Sequence, residues 1–529
     1  MINELNLQEF IFSHPSRIKL MNYQGKSDNS YKISVYRNHS FEMVEHTIKP
    51  YLDYADIKAE FIYSDYDDSL TFLNLDISSD LLILWVDFSR YNTNNMEDFI
   101  HQRIEYLKTI YKKTILFVPF ESNIQYSDNQ VVTYSLEKIK QFLGEKYTDE
   151  RLEAYSGTKM SPSALLMVSK DLGLNYIPSL LKTTLKGIVV DLDNTLYKGV
   201  LGEDGIQNLI LTPSHIALQE KLKTLSQQGF FLCIASKNEQ KDVFEMFNER
   251  KDFPLQLNDF TKICANWNSK ASSITTITEY LNINEDSLIF IDDNLGELVS
   301  VKNEHPNIHL IHADENAQKT LDVLSNYPRL LKFNIAKEDA IRKSDTQANE
   351  TRSKLFKTLS KEDYLKDLQL QLTFTINDKN NINRISELSN KTNQFIFNYA
   401  RYSVSEVENL ISSKNSCVVT VSLKDRLSDS GIIGVVAVRK NNQGCLLEEC
   451  FVSCRALGRG LDEVIVLGAI SFALKKLDSK KLKILIQKGE RNAPALNFAN
   501  KFLGNFIKDY SDFNYKIDEK YLTININKG

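Results

Sequence analysis

The sequence predicts a multidomain α/β protein, and three features of the chain support that class. At 529 residues the chain is longer than one hydrophobic core usually holds. Short apolar runs alternate with longer polar stretches up to about residue 332, which is typical of parallel sheets covered by helices. Strand-like runs then follow one another with fewer helices between them, which indicates a mixed sheet of the α+β class.

Charge and hydropathy limit the partners that we expect. The 64 basic and 69 acidic residues give a net charge of −5, so the chain carries no electrostatic signature of nucleic-acid binding. The longest apolar run, 81–86, is too short to span a bilayer. The first residues, MINELNLQEF, lack the pattern of a secretion signal. We therefore predict a cytoplasmic protein that binds neither nucleic acid nor a membrane.

The cysteines point to reduced thiols. There are six of them, beginning only at Cys233, and their spacings match no common zinc site. A large acidic chain without a signal peptide also argues against disulfides.

The strand-like runs group into three domains and a linker. Residues 1–183 contain YKISVY, AEFIY, LLILWVDF, TILFVPF and VVTYS, and residues 184–335 contain GIVVDLD, FFLCIAS and SLIFIDD. Residues 336–365 are polar and charged, which indicates an exposed helical linker. Residues 366–529 contain further strand-like runs, from QLQLTFTI to YLTINI, and form the predicted mixed sheet.

Polar side chains follow the strands of the second domain. Asp191 and Asp193 come directly after the apolar run 187–190, where two like charges repel unless a cation or a proton separates them. Later strands and the segments behind them supply the rest of the set, namely Ser236, Lys237, Asn238, Lys270, Asp292 and Asp293. Because the carboxyl ends of parallel strands meet at one edge of a sheet, we expect these side chains to converge there.

Such a set can carry out phosphoryl transfer through an aspartate. One carboxylate attacks phosphorus, and a second acid protonates the leaving oxygen and later activates water. A hydroxyl and a lysine hold the phosphoryl oxygens, and Mg²⁺ neutralises the clustered negative charge. A lone D-x-D after a strand is more often a turn with a helix cap, so the prediction depends on the whole ordered set.

The second domain resembles the haloacid dehalogenase (HAD) superfamily of phosphatases, which have a Rossmann-like core. DLDNTL matches the D-x-D-x-T signature, and the later polar residues match the other three motifs in order. The resemblance implies that Asp191 is the nucleophile and that Asp193 is the general acid/base. It implies phosphate binding by Thr195, Ser236, Lys237, Asn238 and Lys270. It also implies a Mg²⁺ site formed by Asp191, Asp292, Asp293 and Asp193, the last through its backbone carbonyl.

A narrower resemblance covers most of the chain. LDNTLYKGVLGEDG is similar to the strand-end motif and flap of the FkbH-like family, as are IASKNEQ, NWNSK and FIDDN. SNKTNQF (389–395), RLSDSGIIGVV (426–436) and SCRALGRGLDE (453–463) extend the resemblance into the last domain. The chain departs from the family in DDNLGEL, where relatives usually have proline and an E-R pair. Only about 40 residues separate the first two motifs, too few for a sizeable cap domain, so we expect an open phosphatase site.

The last domain carries a candidate loop for a pantetheine diphosphate. RALGRG (455–460) lies between a strand-like and a helix-like run, and its glycines let backbone N–H groups approach a phosphate at a helix N-terminus. The loop and the downstream NAPALNFANKFLG resemble GNAT-type acyltransferases, which implies a GNAT-like α+β domain. The resemblance implies that the pantetheine arm of acyl-CoA or of an acyl carrier protein binds Arg455, Gly458, Arg459 and Gly460.

Cys454 directly precedes that loop and is a candidate acyl acceptor, because thiolates are strong nucleophiles. A period of two along the strand places four residues on one face, namely Glu448, Cys450, Val452 and Cys454. Free cysteines are also common as small buried apolar residues, so a structural role for Cys454 and Cys450 stays open. No histidine follows His312, so activation of the thiol would come from the loop, the helix dipole or Arg455.

The first domain resembles the SGNH-hydrolase-like domains that precede this module in full-length relatives. It contains no G-D-S serine, and no histidine lies between His101 and His215, where such hydrolases need a late D-x-x-H. Asn38, His39 and Ser40 follow a strand-like run, and we interpret them as a polar turn. We expect a degenerate scaffold or docking domain.

The combined resemblance implies a bifunctional glyceryl transferase and phosphatase. The FkbH-like family includes proteins that take 1,3-bisphosphoglycerate, transfer its glyceryl group to an acyl carrier protein for polyketide-type biosynthesis, and remove the remaining phosphate. An acyl phosphate is already activated, so a thiol such as Cys454 can displace phosphate without ATP. Two alternatives stay open. One is a phosphatase fused to an acyl-CoA-dependent acyltransferase, as in surface-polysaccharide pathways, and the other is a non-catalytic docking protein.

Overall fold

The computed structural model describes residues 3–91, 95–128, 130–333, 345–346, 348–349, 351–352, 355, 358–453, 456–457, 459–489, 491–518 and 522–528. Within these ranges the chain forms three sheets, one in each predicted domain, with helices packed against them. None of the helices in these ranges is both long and apolar enough to cross a membrane.

The first sheet has five parallel strands in the order β2-β1-β3-β4-β5. They are β1 (Ser30–Arg37), β2 (Lys58–Tyr63), β3 (Leu81–Asp87), β4 (Ile115–Phe120) and β5 (Val131–Thr133). The helices are α1 (Asn3–Phe12), α2 (Arg17–Met21), α3 (Glu42–Tyr54), α4 (Met96–Ile110), α5 (Glu137–Leu143), α6 (Glu150–Ser156), α7 (Pro162–Asp171) and α8 (Ile177–Leu181). Alternate residues of β3 enter two separate hydrophobic clusters, which explains why its apolar run is continuous.

The second sheet also has five parallel strands, in the order β10-β9-β6-β7-β8. They are β6 (Gly187–Val190), β7 (Phe231–Ser236), β8 (Lys262–Ala265), β9 (Leu288–Asp292) and β10 (His309–His312). The helices are α9 (Leu201–Asp204), α10 (Pro213–Gln227), α11 (Gln240–Glu249), α12 (Lys270–Leu281), α13 (Leu295–Glu304) and α14 (Ala317–Ser325). The chain crosses from one side of β6 to the other between β8 and β9. This reversal leaves a crevice at the carboxyl ends of β6 and β9.

The third sheet has seven strands in the order β16-β15-β14-β13-β12-β11-β17. They are β11 (Gln371–Ile376), β12 (Ser416–Lys424), β13 (Asp429–Asn441), β14 (Gly444–Val452), β15 (Lys481–Ile484), β16 (Ser511–Asp512) and β17 (Thr523–Lys528). The helices are α15 (Lys361–Leu368), α16 (Ile382–Lys391), α17 (Val404–Ser412), α18 (Asp462–Lys476), α19 (Ala493–Phe502) and α20 (Gly504–Lys508). The β14–β15 and β11–β17 pairs are parallel and the other four pairs are antiparallel, so the predicted mixed sheet is present.

A β-bulge in β14 corrects the predicted pattern of its faces. The pairing of β14 with β13 shifts between Ala437 and Val438, so one residue of β14 is extra and the alternation of side chains reverses there. Cys450 consequently packs in the core, whereas Glu448 forms a 2.6 Å ion pair with Arg439 on the other side of the sheet. The prediction that Glu448 and Cys450 share a face is therefore wrong.

The predicted linker is not exposed along its whole length. Residues 345–346, 348–349, 351–352, 355 and 358 are helical, and α15 follows. Asp345 and Arg352 are buried. The Arg352 guanidinium lies 3.1 Å from the Asp345 carboxylate and 2.8 Å from the Asp425 carboxylate of the third domain. Paired and hydrogen-bonded charges can be buried, which is why polar composition alone mispredicted this segment.

Candidate active site

Two carboxylates meet at the crevice of the second sheet. Asp191 directly follows β6, and Asp292 is the last residue of the neighbouring strand β9. The backbone N–H of Asp191 donates to the carbonyl of Ile291 at 2.9 Å, which extends the pairing of the two strands up to the site. Both side chains are buried. The sheet topology therefore produces the convergence that the sequence predicted.

Lys270 joins the two carboxylates. It is the first residue of α12, whose N-terminus is capped by the side chain of Ser269. Its Nζ lies 3.0 Å from Oδ2 of Asp191 and 2.6 Å from Oδ2 of Asp292. Burial by itself would lower the pKa of Lys270, but the two carboxylates outweigh it and raise that pKa. The lysine therefore stays charged inside the site.

The pKa values of all three acidic side chains of the cluster are raised, so the site disfavours having every one of them ionised. Burial raises the pKa of Asp191, an effect that Lys270 opposes. Burial and then the neighbouring Asp191 raise the pKa of Asp292 to about 7. Burial also raises the pKa of Asp293. One lysine is thus insufficient to neutralise these three carboxylates.

The same three carboxylates can hold a cation. Oxygens of Asp191, Asp292 and Asp293 lie within 4.8 Å of one another. Oδ1 of Asp191 is buried and has no hydrogen-bond partner among the described residues. Hard divalent cations such as Mg²⁺ take carboxylate oxygens as ligands, and a buried oxygen without a partner is available for one. The donor set therefore fits Mg²⁺.

The side chain of Asp193 does not belong to this cluster. One of its oxygens accepts hydrogen bonds from the Tyr197 hydroxyl at 2.8 Å and from the backbone N–H of Leu201 at 3.0 Å. The other accepts from Nδ2 of Asn238 at 2.9 Å. Three donors thus fix the orientation of this carboxyl group beside Asp191. Its predicted contact with a metal ion through the backbone carbonyl stays a prediction.

Tyr197 is a site residue that the sequence reasoning missed. Its ring is fully buried, and burial raises the pKa of its hydroxyl well above the usual value, so the group donates to Asp193 as a neutral phenol. The spacing of four residues between Asp193 and Tyr197 is a signal that could have identified it, since the intervening turn brings the two side chains together.

The segment after Asp193 forms the small flap that was predicted. Asn194 has a φ of 52° and Gly199 a φ of 119°, both in the left-handed region where glycine and asparagine are favoured. The Asn194 side chain accepts from the N–H of Gly199 at 3.0 Å, which closes the turn. Lys198 then pairs with Ile210 through an isolated β-bridge. The flap contains only α9 and a short 3₁₀ turn, which is smaller than a cap domain.

The predicted phosphate-binding residues differ in exposure, because some are buried at the strand ends and one lies at the surface. Ser236 ends β7 and is buried, and Asn238 donates to its hydroxyl oxygen at 3.0 Å. Oγ1 of Thr195 is buried without a hydrogen-bond partner among the described residues, so it can bond a ligand. The ammonium of Lys237 is instead solvent-exposed and pairs with Glu297 at 2.6 Å. Its position does not support the prediction that Lys237 binds phosphate, because an ion pair at the surface already occupies it.

Trp267 is a second residue that the sequence reasoning did not assign. It lies three residues before Lys270 and is 68% exposed. Its indole N–H donates to Glu239 at 2.6 Å, and the preceding residue, Asn266, donates from its N–H to the carbonyl of Ser236 at 3.1 Å. An exposed aromatic ring is therefore tethered at the rim of the site.

The predicted pantetheine loop is only partly described. Cys454, Arg455 and Gly458 lie outside the described residues. Arg459 is buried, and its guanidinium lies 3.1 Å from the carboxylate of Asp345. Its predicted contact with a diphosphate therefore finds no support in its position. Gly460 has a φ of 72°, a conformation that favours glycine.

A cavity of about 590 Å³ lies beside this loop. Its lining includes Tyr280 and Asn282 of the second domain and Leu457, Arg459, Asp462 and Phe498 of the third. Cys450, the alternative thiol, is buried in the core, and burial raises its pKa well above the usual value. A thiol in that state is a poor nucleophile. The structural interpretation of Cys450 is thus the better one.

The polar turn of the first domain is closed to ligands. The His39 ring is fully buried and stacks on Trp85 and Phe120, with centroid distances of 4.9 Å and 5.5 Å. Its Nδ1 lies 2.9 Å from the hydroxyl of Thr158. Burial lowers the pKa of His39 well below its usual value. A neutral, enclosed imidazole supports the interpretation of this segment as a structural turn.

The chain is only weakly similar to known proteins. No family model matches the chain, and no curated protein matches it. One solved structure is the N-terminal part of the protein BF1531 from Bacteroides fragilis, which contains a phosphatase domain complexed with Mg. It is 18% identical over 63% of this chain and 100% of that one, with a TM-score of 0.46.

A second solved structure is the 3-deoxy-D-manno-octulosonate 8-phosphate phosphatase from Moraxella catarrhalis, in complex with magnesium, phosphate and KDO. It is 18% identical over 26% of this chain and 85% of that one, with a TM-score of 0.20. At such identities and TM-scores, neither likeness assigns an activity to this chain.

Proposed function

We propose that the second domain is a Mg²⁺-dependent phosphatase of the HAD type that acts through an aspartyl-phosphate. The observation that carries the proposal is the grouping of Asp191, Asp292 and Asp293 around one crevice, with Lys270 bound to two of them and Ser236 at the neighbouring strand end. The ordered motifs of the sequence and this geometry agree. A structural ion cluster would not explain why Oδ1 of Asp191 and Oγ1 of Thr195 are buried without a hydrogen-bond partner among the described residues.

The chain's residues account for both halves of the reaction. The carboxylate of Asp191 attacks phosphorus and forms an aspartyl-phosphate, while the leaving oxygen takes a proton from Asp193. Asp193 then removes a proton from water, which attacks the phosphorus, releases inorganic phosphate and restores Asp191. Lys270, Ser236 and Thr195 are placed to hold the phosphoryl oxygens. Bound Mg²⁺ would supply positive charge that offsets the carboxylates and the phosphoryl group.

The apparent affinity for Mg²⁺ is expected to depend on pH. Because the pKa of Asp292 is about 7 without metal, Mg²⁺ binding below that pH must release a proton. Affinity should therefore fall by up to about tenfold per pH unit below pH 7 and level off above about pH 8. Calorimetric Mg²⁺ titrations in two buffers of different ionisation enthalpy measure the affinity and the released proton together. Below pH 7 we expect the release of about one proton per bound Mg²⁺. An affinity that is constant from pH 6 to pH 8 would contradict the assignment of Asp292 as a ligand that titrates in this range.

The phosphatase itself is tested by hydrolysis of a generic phosphate ester, such as p-nitrophenyl phosphate, by the full chain. Activity that requires Mg²⁺ and disappears in EDTA is the expected result, because EDTA removes the cation that offsets the negative charge of the carboxylates and the phosphoryl group. Activity that is unaffected by EDTA would exclude the metal-dependent reaction. Complete inactivity with several esters would favour the non-catalytic docking interpretation.

For the whole chain we propose the activity that the sequence resemblance implies, a bifunctional glyceryl transferase and phosphatase. The thiol of Cys454 would attack the acyl carbon of 1,3-bisphosphoglycerate and displace phosphate, which forms a thioester. The phosphopantetheine thiol of an acyl carrier protein would then take the acyl group, and Asp191 would accept the remaining phosphoryl group. The cavity of about 590 Å³ beside residues 456–462 supports a pantetheine-sized ligand at that place. The open phosphatase site supports a substrate delivered on a carrier.

Intact-protein mass spectrometry tests this transfer. Wild type, Cys454→Ala and Asp191→Asn are each mixed with enzymatically generated 1,3-bisphosphoglycerate, Mg²⁺ and phosphopantetheinylated carrier proteins. We expect a glyceryl adduct on a carrier with wild type, no adduct with Cys454→Ala, and a still-phosphorylated adduct with Asp191→Asn. An acyl group that comes only from acyl-CoA would favour the alternative acyltransferase, and the phosphatase proposal would be unaffected.

A further inference from the structure

A groove of about 600 Å³ runs between the first and second domains, away from the carboxylate cluster. On the first-domain side it is lined by α1, by residues 23–27 and by the end of α3. On the other side it is lined by Lys302, His309 and residues 327–329. Its volume falls within the roughly 300–1,000 Å³ of small-molecule sites. Neither the phosphatase chemistry nor the predicted transfer uses this groove.

The carboxylates of the groove are already satisfied. Glu4 accepts from Lys302 at 3.1 Å and from the Tyr327 hydroxyl at 3.2 Å. Asp53 accepts the backbone N–H groups of residues 26 and 27 and the Tyr23 hydroxyl. Asp56 pairs with Lys182 at 2.9 Å and accepts from the Ser27 hydroxyl at 3.0 Å. These contacts also engage the ammonium groups of Lys182 and Lys302.

The other two cations of the groove are Arg329 and Lys26. Arg329 donates from Nε to the carbonyl of Thr183 at 2.7 Å, and its Nη1 lies 3.1 Å from Nε2 of His309. Burial, and then Arg329 itself, lower the pKa of His309 to about 3, so this ring is neutral. No carboxylate of the described residues forms an ion pair with either of them; Asp286 attracts Arg329 from farther away, and its carboxylate is paired with Arg491. The groove lining thus contains four cationic side chains and three carboxylates.

The backbone holds the guanidinium in place. Arg329 has a φ of 69°, in the left-handed region that side-chain-bearing residues rarely adopt. Its carbonyl accepts the N–H of Leu185 at 3.2 Å and its Nε is bonded to Thr183, so the main chain and the side chain are both fixed against the same segment. Desolvating a charge without a counter-charge is unfavourable. A bound anion would remove that cost.

We propose that this interdomain groove binds a small anionic metabolite through a phosphate or carboxylate group held by Arg329 and Lys26. Guanidinium groups suit both anions, because their N–H groups match two oxygens at once. Aromatic rings supply an apolar wall for the rest of the ligand: Phe10 stacks on Tyr23 at 5.9 Å, and Tyr54 packs edge-on against Tyr327 at 5.6 Å. Because both domains line the groove, occupancy would stabilise their interface.

Isothermal titration calorimetry on the full chain in EDTA tests the proposal, with inorganic phosphate and citrate as separate probes. EDTA removes the divalent cation that the carboxylate cluster would need in order to hold phosphate. We expect at least one probe to bind saturably, and Arg329→Gln to weaken it by about tenfold or more, as for a lost charge-assisted hydrogen bond. Binding of only phosphate or only citrate identifies which anionic group the groove takes.

Three controls make the result decisive. Arg151→Gln removes a surface arginine that pairs with Asp149, and it should leave binding unchanged. Ser236→Ala alters the phosphatase site and should also leave it unchanged. Lys26→Gln lies at an exposed position and should weaken binding even where Arg329→Gln impairs folding, which the melting temperature reports. The proposal is overturned by no binding of either probe, or by binding that Ser236→Ala removes and Lys26→Gln leaves intact.

Discussion

Asp191→Asn is expected to lower phosphatase turnover roughly a thousandfold or more, while the metal-free protein stays at least as stable as wild type. An amide cannot form the aspartyl-phosphate, so the main route of catalysis is lost. The substitution also removes one of three clustered negative charges. Lys270 keeps its 2.6 Å contact with Asp292, so the buried lysine is still paired. Loss of activity without loss of stability distinguishes a functional carboxylate from a structural one.

Steady-state kinetics and thermal unfolding in EDTA measure the two effects. Asp252→Asn is a matched control in the same domain, because Asp252 pairs with Arg250 at the surface and should leave both activity and the melting temperature nearly unchanged. Turnover close to that of wild type in Asp191→Asn would exclude this residue as the nucleophile. A large drop in melting temperature would instead indicate that the Asp191–Lys270 pair mainly supports the fold.

Lys270→Met is expected to destabilise the metal-free protein by about 3–5 kcal/mol near pH 8, because two buried carboxylates lose their counter-charge. The penalty should shrink as the pH falls. The pKa of Asp292 is already raised to about 7, above its unfolded value, so its contribution to stability is full at low pH and is lost as the pH rises through 7. Protonation at low pH replaces the missing lysine charge. The same variant should also lose phosphatase activity.

Lys237, which directly follows β7, serves as a matched control for Lys270. Lys237→Met removes an exposed ammonium that pairs with Glu297, and it should change the free energy of unfolding by less than about 1 kcal/mol. Denaturant unfolding of both variants in EDTA at two pH values measures the difference. Mg²⁺ should restore part of the stability of Lys270→Met, since the cation supplies the charge that the lysine lost. Equal effects of the two substitutions would contradict the buried ion cluster.

The position of the carboxylate cluster could be predicted because the signals are local. The apolar run 187–190 and the run 288–291 each identify a buried parallel strand, and Asp191 and Asp292 follow directly in the sequence. In a parallel sheet, strand ends share an edge, so two local patterns are enough to bring distant side chains together. Lys270 followed from the same reasoning, since it begins a helix behind a strand.

Side-chain partners were less predictable. Whether Lys237 or Lys270 enters the site depends on which of them faces the carboxylates. Neither the hydrophobic periodicity nor the composition of the sequence indicates the direction of these side chains. The burial of Arg459 depends on Asp345, which lies 114 residues earlier in the chain. Which side chains of β14 lie on each face of the sheet depends on one extra residue at a bulge, and the alternating pattern of a strand does not predict where a bulge occurs. These outcomes rest on contacts that are distant in sequence.

The amino-acid sequence was sufficient to predict the α/β class of the first two domains, the mixed sheet of the third, and the residues at the strand ends of the candidate site. Those properties follow from hydrophobic periodicity and from the order of motifs, which are local features of the chain. The folded structure was needed to show that Tyr197 holds Asp193, that Arg459 is enclosed by carboxylates, and that a groove lined by Arg329 lies between two domains. Burial and charge pairing are set by every segment that packs around a group, so they become defined only when the whole chain is folded.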